Sequence, residues 1–384
     1  HLNEAHGLSA AFYLLNKFKS VSKLKEHLVF TTHTPEEAGN EKHDIFLCQK
    51  MSYFCGLDLD EVRALTGMEG EQFNHSLAAL RFAKLANGVS QLHGEVSRKR
   101  WSKYPAICDI KAITNAQNWH YWADKQLYRF MEEHNDGGFD DRKRYLKKRA
   151  FDIVADQTGK LMNPDVFTIV WARRFAGYKR AELITRDEAR FEALLNNSKY
   201  PVQIIWAGKP YPVDYPAISD FNALVHLSKK YRNVAVCTGY ELALSKRLKQ
   251  ASDLWLNNPR VPREASGTSG QKAALNGVPH LSVLDGWWYE GYKGTNGWAI
   301  DPAIPEGVSE EYRDEADADA LYRVLETEVV PLYFDRDSDG IPRRWIHLLK
   351  ESIRTAGPVF SARRMVKEYA EKMYIPAMQA DLTN

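Results

Sequence analysis

A chain of 384 residues exceeds one typical core, so two domains are expected. Hydrophobic residues make up 44%, and 52 Lys and Arg against 50 Asp and Glu leave a formal charge of +2, which excludes bulk attraction to nucleic acid. No apolar run reaches the length of a membrane span, and Cys48, Cys55, Cys108 and Cys237 form no C-x-x-C pair, as expected of reduced thiols in a cytoplasmic protein without a zinc site.

In chain order, His1-Leu2-Asn3-Glu4-Ala5-His6 reads as a strand exit into a site, as expected of a fragment of a longer protein. Residues 28–32 and 110–114 read as strands with helices between them, the later part of an α/β domain. Residues 136–165 contain a charged helix that links the domains. Its run Arg142-Lys143-Arg144 with Lys147, Lys148 and Arg149 has the spacing of a solvated face. From 166 to 300 the alternation is clear: apolar runs at 166–172, 202–207, 234–237, 253–257 and 280–285 alternate with helical patterns at 179–195, 216–230 and 241–251. That pattern predicts a parallel sheet covered on both faces, with ligands at the carboxyl ends of its strands. An aromatic, Gly-rich loop follows, and helices run from about residue 318 onward. The expected domains are 1–150 (an α/β domain with a helical linker), 151–345 (a parallel α/β domain) and 346–384 (helices packing back on the first).

The stretch Glu264-Ala-Ser266-Gly267-Thr268-Ser269-Gly270-Gln271-Lys272 leads into a small-residue helix. Its N–H groups and the helix dipole form an anion site, and a lysine beside bound phosphate is a plausible Schiff-base amine. Pyridoxal phosphate meets both requirements; a glycine-rich helix start with a surface lysine is the plain alternative. Arg173, Arg174, Lys179 and Arg180 follow a strand and repel one another unless an anion sits among them. Two phosphate dianions side by side, repelling by about 10 kcal/mol, would call for such charge. Asn115 is a candidate for a sugar hydroxyl and Trp122 for a ring, against packed aromatics as the alternative. His6 with Glu4, residues 31–35, and His93 with Glu95 are ambiguous between site and structure. Trp287, Trp288, Tyr289 and Trp298 read either as a sugar surface or as a sheet cap.

Taken together, HLNEAH at 1–6, VFTTHTPEEAGNE at 29–41, NGVSQLHGEVSRKRW at 87–101, ARRFAGYKRAELI at 172–184, WAGKPYPVDYP at 206–216 and the long stretch at 253–292 resemble the α-glucan (glycogen, starch, maltodextrin) phosphorylases of bacterial type. The resemblance implies a GT-B glycosyltransferase with two facing Rossmann-like domains and a cleft between them, its N-terminal portion absent here. It implies pyridoxal 5′-phosphate on Lys272, its phosphate cradled by Gly267, Thr268 and Ser269, with Arg173 near that phosphate and Trp122 and Tyr240 around the cofactor. Arg174 and Lys179 match residues that hold substrate phosphate; His6, Asn115, Glu264 and Ser266 match contacts to the reacting glucosyl unit. The implied reaction is retaining phosphorolysis of an α-1,4-glucan or maltodextrin to glucose 1-phosphate, with no nucleic acid or membrane partner, and compatible with a homo-oligomer. The chain departs from the family at Gln271, where methionine is usual, and at Thr114-Asn115-Ala116-Gln117, which replaces a Thr-Asn-Gly turn. A nucleotide-sugar-dependent glucan synthase of the same fold and a non-catalytic fragment are the competing readings.

Overall fold

The computed structural model describes residues 1–35, 40–305 and 307–379, so part of the 29–41 stretch lies outside the described residues. The chain forms two compact units. One comprises His1–Asn115, Pro262–Ser266 and the segment from Ala362; the other comprises Ala116–Val261 and Gly267–Ser361.

The first unit carries a parallel sheet in the order β1 (Leu2–Asn3), β2 (Val29–Thr31), β5 (Leu85–Gly88), β6 (Asp109–Ala112). A separate antiparallel pair joins β3 (Lys42–Asp44) to β4 (Gln72–Asn74). Phe12, Phe30, Phe54, Phe73 and Phe82 fill its core. Helices begin where short polar side chains take up free N–H groups: Asp44 accepts from Leu47, Asn74 from Leu77 and Ser90 from His93.

The second unit is a six-stranded parallel sheet in the order β12 (Gly297–Ile300), β11 (His280–Val283), β10 (Leu254–Asn257), β7 (Phe167–Ala172), β8 (Val202–Ala207), β9 (Val234–Cys237). Period-two geometry sends Phe167, Ile169 and Trp171 into the core on one face, and Val170 and Ala172 into the core on the other. Both faces are apolar, which is why these strands read as unbroken hydrophobic runs. The chain proceeds outward from β7 through β8 to β9, then returns to place β10 on the other side of β7. The sheet therefore reverses between β7 and β10, and ligands in open α/β sheets bind outside such a point.

The expected helix over 179–195 is broken. Short 3-10 turns at Gly177–Lys179 and Leu183–Thr185 precede a true helix only at Glu188–Leu195. Arg180 is the cause. Its backbone turns left-handed, and its buried guanidinium binds Asp314 at 2.8 Å, Asp317 at 2.7 Å and the carbonyls of Asn258 and Pro259. Arg180 thus belongs to the core rather than to an anion cluster.

The basic run at 142–149 is not simply a solvated face. Lys143 is buried on the carbonyls of Gln250, Ser252 and Asn276, and Lys147 is buried against Asp253 at 2.6 Å. The aromatic loop contains a helical turn, Trp287–Gly291. Trp287, Trp288 and Trp298 lie in the core, with the Trp298 indole donating to Glu328 at 3.0 Å, so they offer no sugar surface. Tyr289 alone of the four is exposed.

Candidate functional site

The site of the second unit is built where β7 and β10 diverge. β7 delivers Arg173, which is buried, with its guanidinium 5.6 Å from the Trp171 ring and Nη2 3.5 Å from Ser269 Oγ. Gly267 holds a left-handed backbone (φ 73°) that only glycine adopts freely, and from it the chain turns into the helix Thr268–Ala274. This helix has seven residues, so the expected dipole is that of about two turns and contributes little alone. Gly270 sits on His280; a Cβ there would lie 2.0 Å from His280 Cε1. The absent side chain lets the helix seat directly on β11.

Lys272, in the middle of that helix, places its amine 4.4 Å from the Trp122 ring centroid. Burial lowers its pKa below the ordinary lysine value, so the reactive neutral amine is easier to reach. Asn276 fixes this pair: its Nδ2 donates to the carbonyls of Lys272 (2.8 Å) and Trp122 (3.0 Å), and its Oδ1 accepts from the Asp124 N–H at 2.8 Å. Tyr240 Oη donates to the Ala172 carbonyl at 3.2 Å, tying that ring to the end of β7.

Asn276 and Lys249 were not singled out by sequence. Lys249 lies on the helix Leu242–Ala251, only 2% exposed. Its amine donates to Tyr240 Oη at 2.8 Å and lies 5.7 Å from the Trp122 centroid, the ring that Lys272 also faces. Burial, then the charges of Lys272 and Arg173, hold its pKa well below the ordinary value. Three basic groups from three elements of one unit are thus collected around neutral aromatic and hydroxyl side chains, which suits a phosphate-bearing group. Arg174 is exposed just past β7, and Lys179 is half-buried with its amine 5.1 Å from the Tyr178 ring. Gly267, Thr268 and Ser269 are all partly exposed.

In the first unit, Glu4 occupies a left-handed backbone, and its carboxylate accepts from the His33 N–H and, at 3.1 Å, from Thr34 Oγ1. Burial raises its pKa. His6 is exposed, with Nδ1 3.7 Å from Glu41. Asn115 and Glu264 are half-buried, and the Asn115 N–H binds the Val89 carbonyl at 3.0 Å. Ser266 is 7% exposed, and its Oγ has no hydrogen-bond partner among the described residues. A buried orphan hydroxyl costs stability unless a ligand completes it. His93 is structural: its Nδ1 accepts from the Val89 N–H at 3.1 Å, and burial lowers its pKa to about 4.

The fold and these groups define an α/β protein on parallel sheets with basic side chains gathered at strand ends. No protein-family profile matches the chain. It is 41% identical over 374 residues to an uncharacterized protein of Methanocaldococcus jannaschii, covering 97% of this chain and 69% of that one. It is 35% identical to a glycogen phosphorylase of Aquifex aeolicus, over 97% of this chain and 62% of the relative. A maltodextrin phosphorylase of Thermococcus litoralis is 34% identical, over 98% and 51%. The chain belongs to the glycogen and maltodextrin phosphorylase family. It spans roughly half to two thirds of the length of these relatives. Among the described residues, no helix is long and apolar enough to cross a membrane.

Proposed function

We propose that this chain carries the cofactor and phosphate machinery of an α-1,4-glucan phosphorylase, a cytoplasmic glycosyltransferase on the two-domain GT-B plan. The reaction transfers a glucosyl unit from a glucan or maltodextrin to inorganic phosphate, with retention, to give glucose 1-phosphate. The observation that carries this reading is the Lys272 amine above Trp122, in one unit with Arg173 and Ser269 at the strand-order reversal.

Lys272 would hold pyridoxal phosphate through its amine, with Trp122 and Tyr240 as the neighbouring rings. Gly267, Thr268 and Ser269 supply N–H and hydroxyl donors to the cofactor phosphate, and Arg173 supplies charge. When bound, the cofactor offers a phosphate able to pass a proton to and from inorganic phosphate. Arg174 and Lys179 hold that second anion and offset repulsion between the two phosphates. His6, Asn115, Glu264 and Ser266 orient the glucosyl unit, Ser266 completing its orphan hydroxyl on the sugar. No pair of protein carboxylates is required, in contrast to a glycoside hydrolase.

The test is spectroscopic and chemical. Added pyridoxal phosphate should give absorbance between about 330 and 420 nm that borohydride fixes on Lys272 and that Lys272→Ala abolishes. Maltodextrin and phosphate should then yield glucose 1-phosphate. Absorbance unaffected by Lys272→Ala would overturn the cofactor assignment, and bound cofactor without product would restrict this chain to a binding role.

A further inference from the structure

Lys249 has no role in the reading above, yet its placement is unusual. Its amine has three protein partners, all neutral: Tyr240 Oη at 2.8 Å, Ser245 Oγ at 2.6 Å and the Ser245 carbonyl at 3.2 Å. The rings of Trp122, Trp255 and Tyr240 enclose it at 5.7, 5.1 and 5.3 Å. The charged groups on the elements packed against its helix are mostly of its own sign. Lys272 comes from the helix Thr268–Ala274 and Arg173 from the end of β7. From the helix Asp136–Thr158, Lys143 binds the Gln250 and Ser252 carbonyls, and Lys147 engages the carboxylate of Asp253. On its own helix, Lys246 turns toward the Tyr121 ring at 4.6 Å.

We infer that Lys249 is a proton-accepting member of the anion site: it is a neutral amine when the site is empty of anion and takes one proton from solvent when a phosphate dianion or phosphate monoester enters beside Arg173 and Lys272. The inference rests on the anion-site part of the proposed function, though not on imine formation at Lys272. Burial and two like charges favour the neutral amine in the absence of an anion. An incoming dianion reverses the local field, and the ammonium then becomes the favoured form. The pocket can follow that change at small cost. A hydroxyl both donates and accepts, so Ser245 Oγ serves the lone pair of the amine or a hydrogen of the ammonium by rotating one O–H. Tyr240 Oη, already donating to Ala172, keeps a lone pair for Lys249 in both states.

Calorimetric titration of the chain tests this, with pyridoxine 5′-phosphate as probe because it carries the phosphate but no aldehyde. At about pH 7.5 the ester is mostly dianionic, so its own titration contributes little. Measured in two buffers of different ionisation enthalpy, binding should take up close to one proton per site. Lys249→Met should take up almost none and bind about tenfold more weakly, the equivalent of one pK unit. Lys249→Arg, which cannot lose its charge, should bind without uptake. Inorganic phosphate in a parallel titration separates the two sources: uptake with phosphate alone assigns Lys249 to the substrate anion, and uptake with the ester assigns it to the cofactor anion. Binding without buffer dependence, or unchanged uptake in Lys249→Arg, overturns the inference. Absence of binding by both probes overturns it together with the anion site. Normal proton uptake with no borohydride-fixed adduct from pyridoxal phosphate leaves it standing and overturns only the imine at Lys272.

Discussion

Gln117 Nε2 donates to Gln271 Oε1 at 3.1 Å, both side chains buried. Each lies where the sequence departs from the phosphorylase pattern, Gln271 at a usual methionine and Gln117 in the altered turn after Thr114. The two departures are therefore one interaction. Losing the Gln117 bond would cost the buried Gln271 amide, within the helix Thr268–Ala274, part of its hydrogen bonding. Gln117→Leu should destabilise the chain by about 1–3 kcal/mol. Gln117→Leu with Gln271→Met should cost less than the sum of the single changes, with a coupling of at least about 0.5 kcal/mol in urea unfolding. Additive effects would mean that the pair does not work as a unit.

Arg180 and Arg174 look alike in sequence and should behave oppositely. Arg180 is fully buried on Asp314 and Asp317, so Asp314→Ala should lower stability by about 1–3 kcal/mol by leaving the buried guanidinium one carboxylate short. Arg174 is exposed, and Arg174→Ala should change stability by less than about 0.5 kcal/mol. The same Arg174→Ala should raise the KM for phosphate in glucose 1-phosphate formation, since a strand-end cation facing solvent serves a ligand before it serves the fold. Chemical denaturation and phosphate kinetics on both variants separate the two roles. An unchanged KM would remove Arg174 from the phosphate site.

Stability should fall in mild acid. His75 is buried between the Tyr53 hydroxyl and the His43 ring, at 2.9 Å each, and burial followed by the His43 charge lowers its pKa to about 4 from the ordinary 6.5. His93 is lowered to about 4 as well, by burial and then by His33. Between about 6.5 and 4 the unfolded chain binds protons that the folded chain refuses, so stability rises with pH through that window and is lost as pH falls. Each histidine contributes about 3 kcal/mol at neutral pH by this linkage. Urea midpoints at pH 7.5 and 5 should differ in the native chain, and His93→Gln should reduce the difference. Equal midpoints at both pH values would show that neither imidazole is held neutral.

How much of this was legible depends on what each residue type can signal. The strands of the second unit were readable because a sheet covered on both faces needs unbroken apolar runs, as in Phe167–Ala172 and Val202–Ala207. β5 was not, because Leu85–Gly88 is four residues long and carries Asn87, a buried amide whose role appears only when Thr31 Oγ1 donates to it at 2.6 Å. The Lys272 motif announced itself through local glycine and hydroxyl chemistry. Lys249 did not, because a lysine in an amphipathic helix ordinarily faces water. Its one local signal was Ser245 four residues earlier, on the same face as the buried Leu244 and Leu248. Asn276 lies inside the motif, yet its task depends on Trp122, more than 150 residues away in sequence, and no local pattern marks it.

Gly270 offers the most direct control over the position of Lys272. A methyl at this residue would meet His280 Cε1 at 2.0 Å and Nε2 at 2.4 Å, and the indole nitrogen of Trp287 at 2.8 Å. Each is closer than real Cβ contacts come, so either the helix Thr268–Ala274 lifts or the His280 ring moves. His280 is fully enclosed by Trp287 and Trp288, with ring centroids at 5.2 and 5.0 Å, which leaves the helix as the part that yields. Gly270→Ala should therefore cost about 1–3 kcal/mol of stability as overpacking, and it should also slow borohydride fixation of pyridoxal phosphate because the amine shifts against Trp122. His280→Ala introduced alongside it opens space for the methyl. The double variant should recover the labelling rate more fully than the stability, since a cavity remains where the imidazole was. A Gly270→Ala chain that labels at the native rate would show that the seating of this helix on β11 does not set the position of the lysine.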